Sequence, residues 1–148
     1  MELTDLELLN INVIGPEPEN LRTEAIGNGI ELNWNGPDCG GVINYFIYRK
    51  ANASDWTPNS CETGVPGYVG FKRIAIVDAN ATKFYDNRNG NGLFHGQTYC
   101  YRVTALYKID GQFEQSEGIS SLESCTELKQ DVPVLTKATV LNTNNGNG

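Results

Sequence analysis

The chain has 148 residues, of which 39% are hydrophobic and 20% are charged. That length suits one domain with a packed core and is too short for two ordinary domains. Its 11 Lys and Arg residues against 18 Asp and Glu residues give a net charge of -7, which disfavours nucleic acid and other polyanions as partners. We interpret the basic pairs Arg49-Lys50 and Lys72-Arg73 as ordinary solvated strand ends.

Segments that alternate apolar and polar residues, as strands do, follow one another at 21–26, 29–34, 42–50, 71–78, 82–86, 97–107 and 118–128. Gly, Asn and Asp residues fill the connections between them, where turns need those residue types. The connections are too short for the crossovers that parallel strands require. The sequence therefore predicts an all-β sandwich of about seven strands.

The connection at 51–70 is long for a loop between strands, and we predict that it is a folded insertion. Alternation along the third segment turns Phe46 and Tyr48 to the outer face of their sheet, where Arg102 is also expected to be exposed. These two rings, with Trp56 of the insertion, could bind a sugar face or a protein partner. The alternative, which we favour, is that the insertion covers the rings and forms a second small core.

The four cysteines are Cys39, Cys61, Cys100 and Cys125, without the C-x-x-C spacing of zinc ribbons or dithiol enzymes. Disulfides formed in an oxidising compartment are the better interpretation. Alternation turns Cys100 and Cys125 outward on the last two segments, and a hairpin with a bulge or a wide loop would place them side by side. We therefore predict a Cys100–Cys125 bridge and, by elimination, a Cys39–Cys61 bridge.

No group of residues predicts an active site, a metal site or a cofactor. His95 is the only histidine and has no nucleophile within sequence reach, so a position in an exposed turn is favoured over a catalytic base. The loop 86–92 offers Asp and Asn oxygens, but a single carboxylate, Asp86, is too little charge for calcium. The carboxylates show no pair suited to glycoside hydrolysis. We predict that the protein is not an enzyme.

The runs "IELNWNGP", "YFIYR", "FYDN" and "LFHGQTYCYRVTAL" resemble the fibronectin type III family over residues 17–129. The family places a Trp on the second strand and a Leu six residues before a corner Tyr, which here are Trp34, Leu93 and Tyr99. A proline common just after that leucine is replaced by His95. The resemblance implies an immunoglobulin-like sandwich with the Tyr99 hydroxyl bonded to the preceding turn.

The runs "CETGVPGYVGF", "NGNGLFHGQTYCYRV" and "ELKQDVPVLTKATV" further resemble repeated modules of large secreted or surface proteins associated with gliding motility in gliding bacteria. This resemblance implies an extracellular or cell-surface location, neighbouring modules of the same polypeptide as partners, and a spacer or adhesion function without catalytic residues. The alternatives are a carbohydrate-binding module that uses Phe46, Tyr48 and Trp56, and an accessory domain of a secreted hydrolase. Surface glycans or proteins would then be the partners.

The domain is expected to span residues 16–130, with segments of neighbouring modules or linkers at 1–15 and 131–148. No apolar stretch is long enough to span a membrane, and a secretion signal would have to lie outside this chain. The ends carry apolar residues without partner strands, which predicts added strands or self-association; these are Leu6, Leu8, Ile11, Val13, Val134, Leu135, Val140 and Leu141.

Overall fold

The structure is a computed structural model that describes residues 14–108 and 115–130. Its strands, in chain order, are β1 (Glu19–Ile26), β2 (Gly29–Asn35), β3 (Val42–Ala51), β4 (Lys72–Asp78), β5 (Lys83–Asp86), β6 (Gln97–Lys108), β7 (Gln115–Glu117) and β8 (Ser124–Leu128). A short 3-10 helix (Gly67–Val69) lies within the insertion. No helix in this part of the chain is long and apolar enough to cross a membrane.

The strands form two antiparallel sheets. One sheet has the order β1-β2-β5, and the other has the order β4-β3-β6, with both β7 and β8 paired to β6. The first six predicted strands are present, with ends shifted by at most two residues. The prediction of an all-β sandwich is confirmed.

The last predicted strand, 118–128, is not continuous. Glu117 of β7 opposes Leu106, whereas Cys125 of β8 opposes Cys100, so the register along β6 differs by two residues between them. The intervening residues 118–123 absorb this difference while the N–H groups of Gly118 and Ser121 still donate to carbonyls of β6. The bulge that a Cys100–Cys125 pair requires is therefore present.

The main core lies between the two sheets. Alternate residues of β2, β3 and β6 are buried in it, namely Ile30, Leu32, Trp34, Tyr45, Ile47, Tyr99, Tyr101, Val103, Ala105 and Tyr107. The rings of Trp34 and Tyr45 meet edge to face with centroids 5.5 Å apart, an arrangement that aromatic pairs favour. The inward alternation predicted for the sixth strand is confirmed.

The described chain enters and leaves the sandwich at opposite ends. The end that contains residues 14–18 and the loops 36–41 and 79–82 is called the N-terminal pole. The opposite end, with the turn 27–28, the loop 87–96 and residues 129–130, is called the C-terminal pole. β6 has 12 residues and runs from one pole to the other. The distance from its first to its last Cα atom, eleven steps of about 3.3 Å, is about 36 Å.

Residues before β1 are fixed to the N-terminal pole. The N–H of Ile119 donates to the Gly15 carbonyl at 3.0 Å, and the Tyr107 hydroxyl donates to the Pro16 carbonyl at 2.7 Å. Gly118 packs so closely that a Cβ built on it would lie 2.6 Å from the Gly15 oxygen. Gly15 therefore contacts the sandwich, one residue before the predicted boundary. The apolar residues predicted to form end strands lie outside the described residues.

Candidate functional site

The insertion covers the outer face of β3 and β6. Phe46, Tyr48, Phe71 and Cys100 form a second buried cluster there, against which Val65, Val69 and Leu106 pack. Phe46 is 8% exposed and Tyr48 is 9% exposed, so neither ring offers a face to a ligand. The less favoured of the two interpretations, an exposed binding surface, is wrong because the insertion already covers these rings. The alternative, a second small core, is confirmed.

Trp56, the third predicted binding aromatic, lies over Arg102. The guanidinium of Arg102 is 4.6 Å from the Trp56 ring centroid and 5.6 Å from that of Phe71. It donates to the carbonyls of Trp56 and Ser121 and to the carboxylate of Glu123, at 2.6 to 3.1 Å. Burial lowers the pKa of Arg102 below its ordinary value. The prediction that Arg102 is exposed is therefore wrong, since the insertion encloses it.

A carboxylate accepts a hydrogen bond from one of the rings of the second cluster. Glu117 of β7 accepts hydrogen bonds from the hydroxyls of Tyr48 and Thr104 at 2.6 and 2.5 Å. Burial, followed by this hydrogen bond, raises the pKa of Tyr48. The arrangement satisfies the polar groups that the insertion buries, which is what a buried hydroxyl requires. We assign this network to the stability of the insertion.

Cys100 and Cys125 form a disulfide between directly opposed residues of β6 and β8, with 4.0 Å between their Cα atoms. This predicted pairing is confirmed. The bridge joins the second cluster to the short last strand, because Cys100 is fully buried while Cys125 lies at the exposed edge.

Cys39 and Cys61 are exposed free thiols, so the predicted Cys39–Cys61 bridge is not formed. The Cys39 sulfur lies 3.9 Å from the Tyr107 hydroxyl at the N-terminal pole. Cys61 belongs to the insertion, which the second cluster holds on the outer face of its sheet. Elimination failed because an even number of cysteines does not oblige every one of them to pair.

The corner between β5 and β6 is formed as predicted. The N–H of Phe94 donates to the Tyr99 hydroxyl oxygen at 3.1 Å, and Leu93 and Tyr99 are buried. His95 is exposed on this turn, and its Nδ1 lies 2.8 Å from the Lys129 carbonyl. The histidine therefore contacts the backbone after β8, as a turn residue would.

Asp86, considered in the sequence as a calcium ligand, faces inward instead. It is 3% exposed at the end of β5. Nη1 of Arg49 lies 3.0 and 2.8 Å from its two oxygens, and the Tyr101 hydroxyl donates to Oδ2 at 2.7 Å. Burial, and then the charge of Asp86, raise the pKa of Tyr101. The carboxylate is thus balanced by the protein itself. Sequence reasoning missed this network, although Arg49 occupies an inward position of β3 by alternation.

Two adjoining grooves open at the C-terminal pole, and Arg49 and Arg88 line both of them. The first groove, of about 390 Å³, is lined mostly by polar residues of the segment 84–91. The second, of about 440 Å³, adds cations and rings, namely Lys50, Lys72, Phe94 and Tyr99. The chain thus concentrates positive charge at one end of the sandwich.

The two basic pairs that were interpreted as separate strand ends meet in this region. Arg49 and Lys72 are direct partners across β3 and β4. The insertion separates them in sequence by more than twenty residues, which hides their proximity. The available signal was that one basic pair ends a strand and the other begins the next.

Among the described residues, one group has the spacing of metal ligands, and it consists of Cys100, Glu123 and Cys125. Both sulfurs belong to the disulfide, so neither is a thiolate that could bind a metal. We assign no metal to this group.

No protein-family model and no curated protein matches the chain. Solved structures do match. One described as a myokine structure aligns with a TM-score of 0.52 at 14% identity, over 77% of this chain and 97% of that chain. The FN3 domain of human collagen XX aligns with a TM-score of 0.48 at 17% identity, over 75% of this chain and 88% of that chain.

Pectate lyase Pel3 from Pectobacterium carotovorum aligns with a TM-score of 0.48 at 18% identity, over 80% of this chain and 28% of that chain. The match thus spans less than a third of the lyase. At such identities the similarities concern the fold alone.

Proposed function

We propose that the chain is a non-catalytic structural module, one link of a multidomain protein that is secreted or displayed at the cell surface. The observation that supports this most strongly is the position of its ends. The described chain enters at the N-terminal pole and leaves at the C-terminal pole, so the sandwich would hold its neighbours about 36 Å apart. The neighbours would be modules to which the segments 1–15 and 131–148 lead.

Contacts between the first and last strands suit a module that carries load between its ends. Thr126 of β8 donates to the Thr23 carbonyl of β1 at 3.0 Å, and the hydroxyls of Thr23 and Ser124 lie 2.8 Å apart. The disulfide joins β8 to the central strand β6. Since β8 has only five residues, this bridge supports the strand that would bear a pull on the exit side.

An extracellular location is supported by the disulfide, because such bonds persist in oxidising compartments. The resemblance to modules of gliding-motility-associated proteins supports an adhesion or spacer context. Surface labelling of intact cells, or protease treatment that removes the module without lysis, would test this location.

The spacer function is tested by replacing the module in its parent protein. We expect deletion of residues 15–132 to impair the parent, and an unrelated fibronectin type III sandwich of similar length to restore its function. A function that depends on the spacing of the neighbours survives this exchange, because the replacement keeps the length of the module. A replacement that behaves like the deletion would contradict the proposal.

A further inference from the structure

We propose that the C-terminal pole binds an acidic polysaccharide in the two grooves that share Arg49 and Arg88. This site lies apart from the aromatic residues that the sequence suggested for sugar binding. It goes beyond the structural role above and does not depend on it, since loss of the groove cations in K50E/K72E removes the ligand site and leaves the length of the module unchanged.

Several exposed carboxylates of the described chain lie far from the grooves, although Glu127 lies at the C-terminal pole and Lys108 at the N-terminal pole. Exposed carboxylates of Glu17, Asp38 and Asp78 lie at the N-terminal pole, whereas Lys72 is exposed and Lys50 is partly exposed at the C-terminal pole. The poles are about 36 Å apart along β6, several times the Debye length of about 8 Å at physiological salt. The local charge of the grooves therefore governs binding there, in spite of the net charge of -7.

The cations of the second groove are only partly balanced. Arg49 and Lys72 oppose each other directly across β3 and β4, and like charges in that position destabilise a sheet. Asp86 pairs with Arg49 alone. Within the described residues, Lys50, Lys72 and Arg88 form no ion pair with a carboxylate, and no acidic residue lines this groove. The arrangement favours an anionic ligand.

The other side chains that line the grooves favour a ligand whose anionic group is attached to a sugar. Phe94 is 66% exposed, and the guanidinium of Arg88 lies 4.8 Å from its ring centroid. Amide side chains line both grooves, namely Asn87, Asn89, Asn91 and Gln97. A sugar acid combines an apolar ring face, hydroxyl groups and an anion, which match the ring, the amides and the cations in turn. An acidic peptide such as poly-glutamate would use the cations and bond to the amides through its backbone, but it offers no ring face to Phe94.

The size of the grooves fits more than one sugar unit. Their volumes of about 390 and 440 Å³ each fall in the ordinary range of ligand sites, about 300–1,000 Å³. Because the grooves adjoin at Arg49 and Arg88, a ligand can run from one to the other. We therefore infer a polymer of carboxylated or sulfated sugars as the ligand.

The test is a binding titration of the full chain at about 50 mM salt with a polyuronate, a sulfated polysaccharide, a neutral glucan and poly-glutamate. We expect binding to one or both anionic polysaccharides that weakens as salt rises, and none to the neutral glucan. The K50E/K72E variant should bind at least about tenfold more weakly. Comparison of the affinities for the polyuronate and the sulfated polysaccharide shows whether the carboxylate or the sulfate group is recognised.

A matched control is R22E/K108E, which changes the net charge equally on exposed residues of β1 and β6 away from the grooves. We expect it to retain binding, and F94A to weaken polysaccharide binding without affecting poly-glutamate. Unchanged binding of K50E/K72E, or an equal loss in R22E/K108E, would overturn the assignment. Poly-glutamate that binds as tightly as the polysaccharides, with no effect of F94A, would overturn it in favour of an acidic protein. Thermal midpoints of the variants show that each is folded.

Discussion

At the corner before β6, the Tyr99 hydroxyl has a structural role that the His95 side chain lacks. The Tyr99 oxygen accepts from the Phe94 N–H at 3.1 Å and its ring is 6% exposed. Tyr99→Phe leaves that N–H without an acceptor and should cost about 1–3 kcal/mol in the free energy of unfolding. His95→Ala, in an exposed turn, should cost at most about 0.5 kcal/mol. Denaturant unfolding of both variants measures the difference, and equal midpoints would refute the corner.

Buried tyrosines predict an alkaline limit to stability. Burial is the first cause that raises the pKa of Tyr48, Tyr101 and Tyr107. Their protonated forms are favoured in the fold, so this contribution is complete below the unfolded pKa of about 10 and is lost as pH rises above it. Tyrosinate absorbance should therefore show these three ionising only together with unfolding. Ionisation of all seven tyrosines near their ordinary pKa, with native circular dichroism retained, would contradict this.

Some of these residue roles were readable from sequence and others were not. Alternation along one strand suffices to place Tyr99 and Tyr101 in the core, because the period of a strand fixes which face each residue takes. It could not reveal that Tyr101 bonds to Asp86, since that contact depends on the end of a different strand. The free thiol of Cys39 was equally hidden, because pairing depends on the path of the insertion.

At the scale of elements, the disulfide supports the last strand. It closes a sequence separation of 25 residues, for which loop entropy predicts about 3.5 kcal/mol of stabilisation. We expect C100A/C125A to lower the free energy of unfolding by about that amount, and C39S/C61S to lower it by less than about 1 kcal/mol. Thiol titration of the native chain should find two reactive groups. A large loss in C39S/C61S, or no free thiols, would show that those cysteines are paired.

The insertion illustrates where a period-two pattern reaches its limit. The pattern correctly turned Phe46 and Tyr48 away from the main core. It could not say whether solvent or protein lies beyond them, because the covering residues Val65, Val69 and Phe71 follow no strand period.

Trp56→Ala should destabilise the protein, since it uncovers the buried guanidinium of Arg102. Tyr68→Ala, at a residue 78% exposed, is the matched control and should have little effect in the same unfolding experiment.

At the scale of the whole molecule, composition and fold gave different information about charge. The net charge of -7 argued against polyanions as partners. A net charge does not show where the individual charges lie on the surface, so it could not reveal a local group of cations. The sheet order then brought Arg49 and Lys72 together across two strands. The β-sandwich was predictable, apart from the division of its last strand into β7 and β8, because alternation, turn residues and the Trp and Tyr positions all agreed, which is the condition for a sequence to specify a fold.

We predict that residues 15–132 contain one complete sandwich that can act as an independent module. The described contacts of both sheets, the disulfide and the Gly15 carbonyl bond all lie within that range. The most direct test is thermal unfolding of a chain trimmed to residues 15–132, beside the full chain. We predict a folded monomer that unfolds in one cooperative transition with a midpoint close to that of the full chain, and with less self-association. A trimmed chain that fails to fold, or that melts far below the full chain, would show that the end segments belong to this core.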